Sequence, residues 1–372
     1  MGTQNSGPEG NVRGAFMIQE YYCRTMQAPI YARLCKAIAE RLTGASAVGA
    51  RILAWTGEPT RDALPLRFIG GLHALVRAGA DADLAAIFSG TLTDEAAIAQ
   101  ALERALARHD AALLPWLDGP PQTNEAGRSA ALMLGLIDVA GRFGPKLELL
   151  EIGSSGGLNL MIGRYRFDLG GSMVGPADAS LTITPDWRGP APAVPPIDIV
   201  TARGCDIAPL DVTDPAIAAR LSAYVWAETP ERQARLDTGI AMVRAQGVRI
   251  DRADAADWVE ARLAEPQSAG TTRVLMHSVV WQYLPEPVAE RIRQAMAAAG
   301  TRATLERPLA WVSMEPDRAL AEQVVTVKAW PGPDERILLA TAHAHATWVR
   351  PGLPEAGRTA NPLVDEAAQV RL

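Results

Sequence analysis

Lys146-Leu147-Glu148-Leu149-Leu150-Glu151-Ile152 runs straight into Gly153-Ser154-Ser155-Gly156-Gly157, and then into Leu158-Asn159-Leu160-Met161. A short, apolar-rich stretch bounded by glycine reads as a buried strand. The five small residues behind it let the backbone turn tightly and approach a ligand closely. The last four residues suit a helix start. Strand, glycine-rich turn and helix together open an α/β fold, and here they do so well inside the chain.

Downstream, strands and helices alternate. Strand patterns occur at 197–203, 248–250, 274–280 and 309–314, and helical ones at 215–224, 230–246, 257–264 and 286–299. Such alternation implies a parallel, doubly wound, Rossmann-like sheet. Residues 163–200, rich in Gly and Pro, read as a β-ribbon insertion. Residues 324–330 and 337–349 flank Pro331-Gly332-Pro333-Asp334, a hairpin signal that adds a terminal antiparallel edge. In these sheets ligands bind outside the carboxyl ends of the strands, near the point where strand order reverses. The strand exits that carry chemistry are residues 151–157, Asp206, Asp254, His277 and Glu315.

Upstream, residues 16–141 read as helical. Tyr31, Leu34, Cys35, Ile38 and Leu42 recur at helical spacing. Thr93, followed by Asp94 and Glu95, opens a further helix with acids at its positive end. Thr123-Asn124-Glu125 opens the helix that runs to Gly141. The expected organisation is a flexible tail at 1–14, an all-α domain at 15–143, the α/β domain at 144–350 and a C-terminal tail at 351–372.

The 372 residues suit roughly two or three domains at about 150 residues each. With 48% apolar and 21% charged residues the chain has ordinary globular composition. A net charge of −6 gives no footprint for nucleic acid or an acidic lipid surface. No apolar run approaches the roughly 20 residues of a membrane span, and the polar start has no secretory core. Cys23, Cys35 and Cys205 have neither zinc nor redox spacing and read as small buried hydrophobes. A cytoplasmic protein acting on a small molecule is expected.

Three ligand classes use a turn such as 153–157. A dinucleotide needs G-x-G-x-x-G, and Ser155 stands where the second glycine belongs; Glu151 would also repel a pyrophosphate. A serine hydrolase would use Gly153-Ser154-Ser155-Gly156-Gly157 as a G-x-S-x-G elbow, with Ser155 as nucleophile and Asp254 or Glu315 and then His343 or His345 completing a triad. The helical upstream half supplies no oxyanion loop for it. S-adenosylmethionine is cationic and carries no phosphate, so a strand-end carboxylate attracts it.

The segment resembles the first motif of class I methyltransferases, an acidic residue and a hydrophobe before G-x-G-x-G, with Ser155 in place of the central glycine. The resemblance covers roughly residues 145–350. It implies a cofactor site for S-adenosylmethionine made by Glu151, Gly153, Ser154, Ser155, Gly156, Gly157 and Asn159, with Asp206 at the ribose and Asp254-Ala255 at the adenine. A narrower resemblance spans nearly the whole chain. Residues 151–160, Arg164-Tyr165-Arg166-Phe167, Arg203-Gly204-Cys205-Asp206, residues 277–284 and residues 123–129 are similar to an uncharacterised bacterial family of methyltransferase-like proteins, domain of unknown function family 2332. That family brings no reaction with it, and a non-catalytic descendant of the fold stays open beside an enzyme.

Lesser signals complete the site. His277 is a candidate general base, with Glu315 second, against a structural role for the imidazole. Trp281 is a candidate wall for a substrate ring, against core packing. Thr123 is the expected N-cap of the helix that follows, with Glu125 favourable in its first turn and Arg128 one turn after Asn124; Asn124, Glu125 and Arg128 are also candidates for a substrate lid. His343 and His345 lie two apart and, on a strand, share a face; no third ligand accompanies them, so no metal site is expected.

Overall fold

The computed structural model describes residues 8–352. The chain divides into two compact units: residues up to Thr123 together with Asp214–Ala234, and Asn124–Thr213 together with residues from Arg235 on. The helical unit therefore ends at Thr123 and not near residue 143, and it regains a segment from within the α/β sequence.

Its first six helices are α1 (Pro8–Thr25), α2 (Pro29–Arg41), α3 (Ala47–Leu53), α4 (Leu64–Arg77), α5 (Ala82–Phe88) and α6 (Glu95–Leu113). Residues 8–14, expected in a tail, form the start of α1; the rest of that tail and residues 353–372 lie outside the described residues. The stripe on α2 is buried as its spacing predicts, with Leu34 and Cys35 at 0% exposure. The cap of α6 is Asp94, one residue after Thr93, and its carboxylate accepts from Ala97 N at 2.8 Å. Asp81 caps α5 in the same way through Leu84 N at 2.9 Å.

The returning segment completes this unit. The N-cap of α2, Ala28, has no side-chain acceptor. Glu228 supplies one, accepting from Ile30 N at 2.6 Å and Tyr31 N at 3.4 Å, so the first amides of α2 are satisfied from far along the chain. Trp226 stacks on Tyr31 with ring centroids 5.1 Å apart. His73 reaches the Ala223 carbonyl through Nδ1 at 3.0 Å, and burial pushes its imidazole down to about 4.

In the α/β unit, α7 (Ser129–Phe143) precedes the first strand, β1 (Lys146–Ile152). The turn after β1 leads into a 3₁₀ helix, Asn159–Arg164, in place of the expected α-helix. Within 163–200 lie β2 (Arg166–Leu169), β3 (Ser172–Val174) and β4 (Thr182–Ile183), which make a separate three-stranded sheet, and β5 (Asp186–Trp187). Then come β6 (Asp198–Asp206), α8 (Pro215–Ala223), which belongs to the returning segment of the helical unit, α9 (Pro230–Gln246), which begins in that segment, β7 (Ile250–Arg252), α10 (Ala255–Ala264), β8 (Thr272–Ser278), α11 (Glu286–Gly300), β9 (Leu309–Asp317), β10 (Glu322–Trp330), β11 (Ile337–Ala342) and β12 (Trp348–Pro351).

The main sheet has nine strands in the order β5-β12-β11-β10-β9-β8-β1-β6-β7. The block β7-β6-β1-β8-β9 is parallel throughout. Strand order reverses at β1 and β8, so the switch point lies at the exit of β1. The antiparallel part is wider than one hairpin: β9 pairs with β10, β10 with β11 and β11 with β12. The strand expected to stop near Met314 continues to Asp317 and folds straight back.

Leu150, Ile152, Cys205, Leu275 and Trp311 share one core with Val259 of α10 and Ile292 and Met296 of α11. On the other face α7 packs against β9, where a Cβ on Gly135 would stand 2.4 Å from Val312 Cγ1. Strand residues alternate between these faces. Glu151 lies out of phase with Leu150 and Ile152, on the α7 face. His277 is in phase with Leu275, on the α10–α11 face. The cysteines Cys23, Cys35 and Cys205 are free and buried. Among the described residues no helix is long and apolar enough to cross a membrane, and no group of three His, Cys, Asp or Glu is placed to hold a metal ion.

Candidate functional site

The turn at the switch point has an alternating backbone. Gly153, Ser155 and Gly157 have φ of +69°, +51° and +80°. Left-handed backbone is natural for glycine and costs a side-chain-bearing residue about 1–2 kcal/mol. Ser155 therefore stands at a position that the turn would give to glycine, the central glycine of the resembled motif. The turn is held from two sides. Asp206, at the end of β6, accepts from Ser155 N at 2.9 Å through one oxygen and from Ala208 N at 2.8 Å through the other. Asn124 accepts from Leu158 N at 2.9 Å. Ser154 donates to the Glu151 carbonyl at 3.2 Å and is fully buried. Tyr165 supports the far end, donating to the Leu158 carbonyl at 2.8 Å.

Glu151 does not open towards this turn. It is 1% exposed, and Oε1 accepts from Asn159 Nδ2 at 3.0 Å. The same Nδ2 reaches Ser278 Oγ at 3.3 Å, and Ser129 Oγ donates to Asn159 Oδ1 at 2.9 Å. The amide thus bridges α7, β1 and β8, and its orientation follows from its partners. Glu151 Oε2 is buried without a hydrogen bond. Burial, first of all, pushes the Glu151 carboxyl up to about 7, with Asp206 adding to the rise and the Asn159 and Ser154 bonds opposing it.

His277 and Glu315 lie on the opposite face and make a second cluster. His277 Nδ1 is 2.6 Å from Glu315 Oε1, and His277 Nε2 accepts from Trp311 Nε1 at 2.9 Å. With Nε2 an acceptor, Nδ1 is the donor, and the ring is the neutral Nδ1–H tautomer. Glu315 also accepts from Val280 N at 3.1 Å and Trp281 N at 3.2 Å. Trp281 stacks on His277 at 5.2 Å. Both ring nitrogens of His277 are therefore occupied, and its neighbours serve packing and capping.

The remaining expected residues fall as follows. Asp254 caps α10, accepting from Ala256 N at 2.9 Å and Asp257 N at 3.3 Å, and Ala255 is the first residue of that helix. Glu125 caps the 3₁₀ turn Ala126–Arg128 through Gly127 N and pairs with Arg235 at 2.9 Å. Thr123 is therefore not the cap. Arg128 donates to the Ala344 carbonyl at 2.9 Å. His343 and His345 lie in the turn between β11 and β12, not on a strand, so the shared-face expectation is corrected. Gly156 has no left-handed backbone. So the structure gathers Asp206, residues 153–157 and Asn124 at one place, His277, Glu315 and Trp281 at another, and gives Glu151 and Asn159 to the α7 face.

Sequence reasoning missed Ile207, which follows Asp206 and is 72% exposed. An apolar residue directly after a strand-end acid was the available signal. It also missed Val280. A Cβ on Gly153 would lie 2.4 Å from Val280 Cγ2, so that face of the turn is covered by the chain itself. A cavity of about 420 Å³ in the helical unit, floored by Ile38, Phe68 and Leu102, has no counterpart in the expectations.

Fold and site define an α/β protein with a helical N-terminal region and a large, mostly parallel sheet. The chain belongs to the family described as "Uncharacterized protein conserved in bacteria (DUF2332)", which matches residues 13–350. No curated protein and no solved structure gives a match.

Proposed function

We propose that this chain binds an S-adenosylmethionine-type nucleoside at the 153–157 turn and methylates a small molecule with it. The observation that carries the reading is the left-handed backbone at residues 153, 155 and 157, set at the switch point beside Asp206. The adjoining residues fit such a group in kind. Asp206 is a carboxylate suited to a hydroxyl pair, and Ile207 is an exposed apolar surface suited to a flat base. A 3₁₀ helix follows the turn, so no α-helix N-terminus there favours a phosphate. Glu151 does not fit, and its part is to anchor Asn159. What the group supplies when bound is an electrophilic methyl carbon. His277 is committed to Trp311 and Glu315, so transfer rests on holding and desolvating the acceptor rather than on a histidine base. The net charge of −6 favours a small acceptor over a nucleic acid.

Ser155 is also strained as an elbow nucleophile is. Its Oγ is buried and has no hydrogen-bond partner, so no base sits against it. Titration calorimetry with S-adenosylhomocysteine tests the proposal. Micromolar or tighter binding, weakened at least tenfold in Asp206→Asn, supports it; heat absent for the wild type overturns it.

A further inference from the structure

Val279 is a β-branched residue at φ +54°, a conformation that is a true outlier for that side chain. Such backbone persists only where the surroundings hold it. Before it lies β8, whose seven residues are all buried. After it comes a short 3₁₀ turn, Trp281–Tyr283, on which Tyr283 is 73% exposed. What holds Val280 and Trp281 between these is Glu315, through the two amide bonds described above, together with the stacking of Trp281 between His277 and the Arg293 guanidinium, 5.5 Å from its ring. The side chain so held, Val280, covers Gly153.

We propose that residues 279–281 are a latch hinged at Val279, closed in this structure, and that its opening uncovers the Gly153 side of the turn for ligand. His277 and Glu315 are then positioning residues, acting on the turn through Val280. The latch itself follows from backbone, burial and hydrogen bonds alone; only the identity of the ligand rests on the nucleoside reading. Two hydrogen bonds to one carboxylate favour the closed form, and the left-handed Val279 opposes it. Removing that strain must therefore shut the latch more firmly.

Hydrogen exchange followed by mass spectrometry reads the latch without ligand. Peptides covering 279–284 are expected to exchange at least tenfold faster than those covering 272–278. Val279→Gly and Val279→Asn, both at ease in left-handed backbone, should slow that exchange about tenfold; Glu315→Gln should speed it. Stopped-flow binding of S-adenosylhomocysteine reads the consequence. Val280→Ala should raise the association rate and Val279→Gly should lower it, an opposition that simple loss of packing does not produce. Exchange of 279–284 at the rate of β8, or exchange unmoved by both Val279 variants, overturns the latch. Slowed exchange with no binding by any variant keeps the latch and removes the nucleoside.

Discussion

Glu151→Gln isolates the buried carboxyl on the α7 face. In the unfolded chain this group titrates near its ordinary 4.5; in the fold it is pushed up to about 7, chiefly by burial. Below 4.5 both states hold the proton and there is no penalty. As pH rises from 4.5 towards 7 the unfolded chain loses its proton while the folded chain keeps it, so the unfolded state gains. Above 7 the loss is complete and level. At about 1.36 kcal/mol per pH unit the full penalty is about 3 kcal/mol. Glutamine keeps the acceptor for Asn159 Nδ2 and cannot ionise, so it carries no such pH dependence. It does place a buried amide donor where Oε2 has no partner, a cost of about 1–3 kcal/mol that is the same at every pH. Urea unfolding followed by tryptophan emission at pH 5, 6, 7 and 8 separates the two effects. The variant is expected to be the less stable protein at pH 5 and to gain on the wild type by about 3 kcal/mol by pH 8. A difference between the two proteins that stays flat from pH 5 to pH 8 would refute the account of Glu151 as a buried group titrating near neutrality.

Gly153→Ala should destabilise the fold by about 2 kcal/mol or more, since its Cβ meets Val280 and its φ is left-handed; a melting temperature equal to wild type would count against the packing of Val280 on the turn. Ser155→Gly should stabilise by about 1 kcal/mol through relief of strain, read as a higher melting temperature. A fluorophosphonate probe should leave Ser155 unlabelled, because its Oγ has no base; labelling lost in Ser155→Ala would revive the hydrolase reading. Nitrogen NMR of the His277 ring should show the neutral Nδ1–H tautomer in the wild type, and Trp311→Phe, which removes the donor to Nε2, should disturb it.

The strand at 146–152, the turn behind it and the alternation that makes the sheet parallel were legible, because each is a local pattern repeated in order. The helical stripe on α2 was legible for the same reason. The direction of Glu151 was only half legible. Its phase against Leu150 and Ile152 is in the sequence, but that it parts company with His277 needs the register of β1 against β8, which no local pattern supplies. The early return of β9 into β10 was hidden because Glu315-Pro316 looks like a strand end, while in the sheet Pro316 stands opposite Gln323. The roles of Asp254 and Glu125 as acceptors for nearby amides were hidden for another reason. An acid at a strand exit reads alike whether it serves a ligand or the backbone.

The grip of Glu228 on the start of α2 bears on biosynthesis. A ribosome releases α1 to α6 long before it makes Asp214–Ala234, so the first helices emerge without the partner that satisfies Ile30 and Tyr31 and covers the Tyr31 ring. The nascent helical unit must wait, unfinished, while the first strands of the sheet are made. A fragment cut at the apparent boundary near residue 143 would keep that unfinished state permanently, so expression trials of the helical part need residues 214–234 supplied in the same chain or added as a peptide.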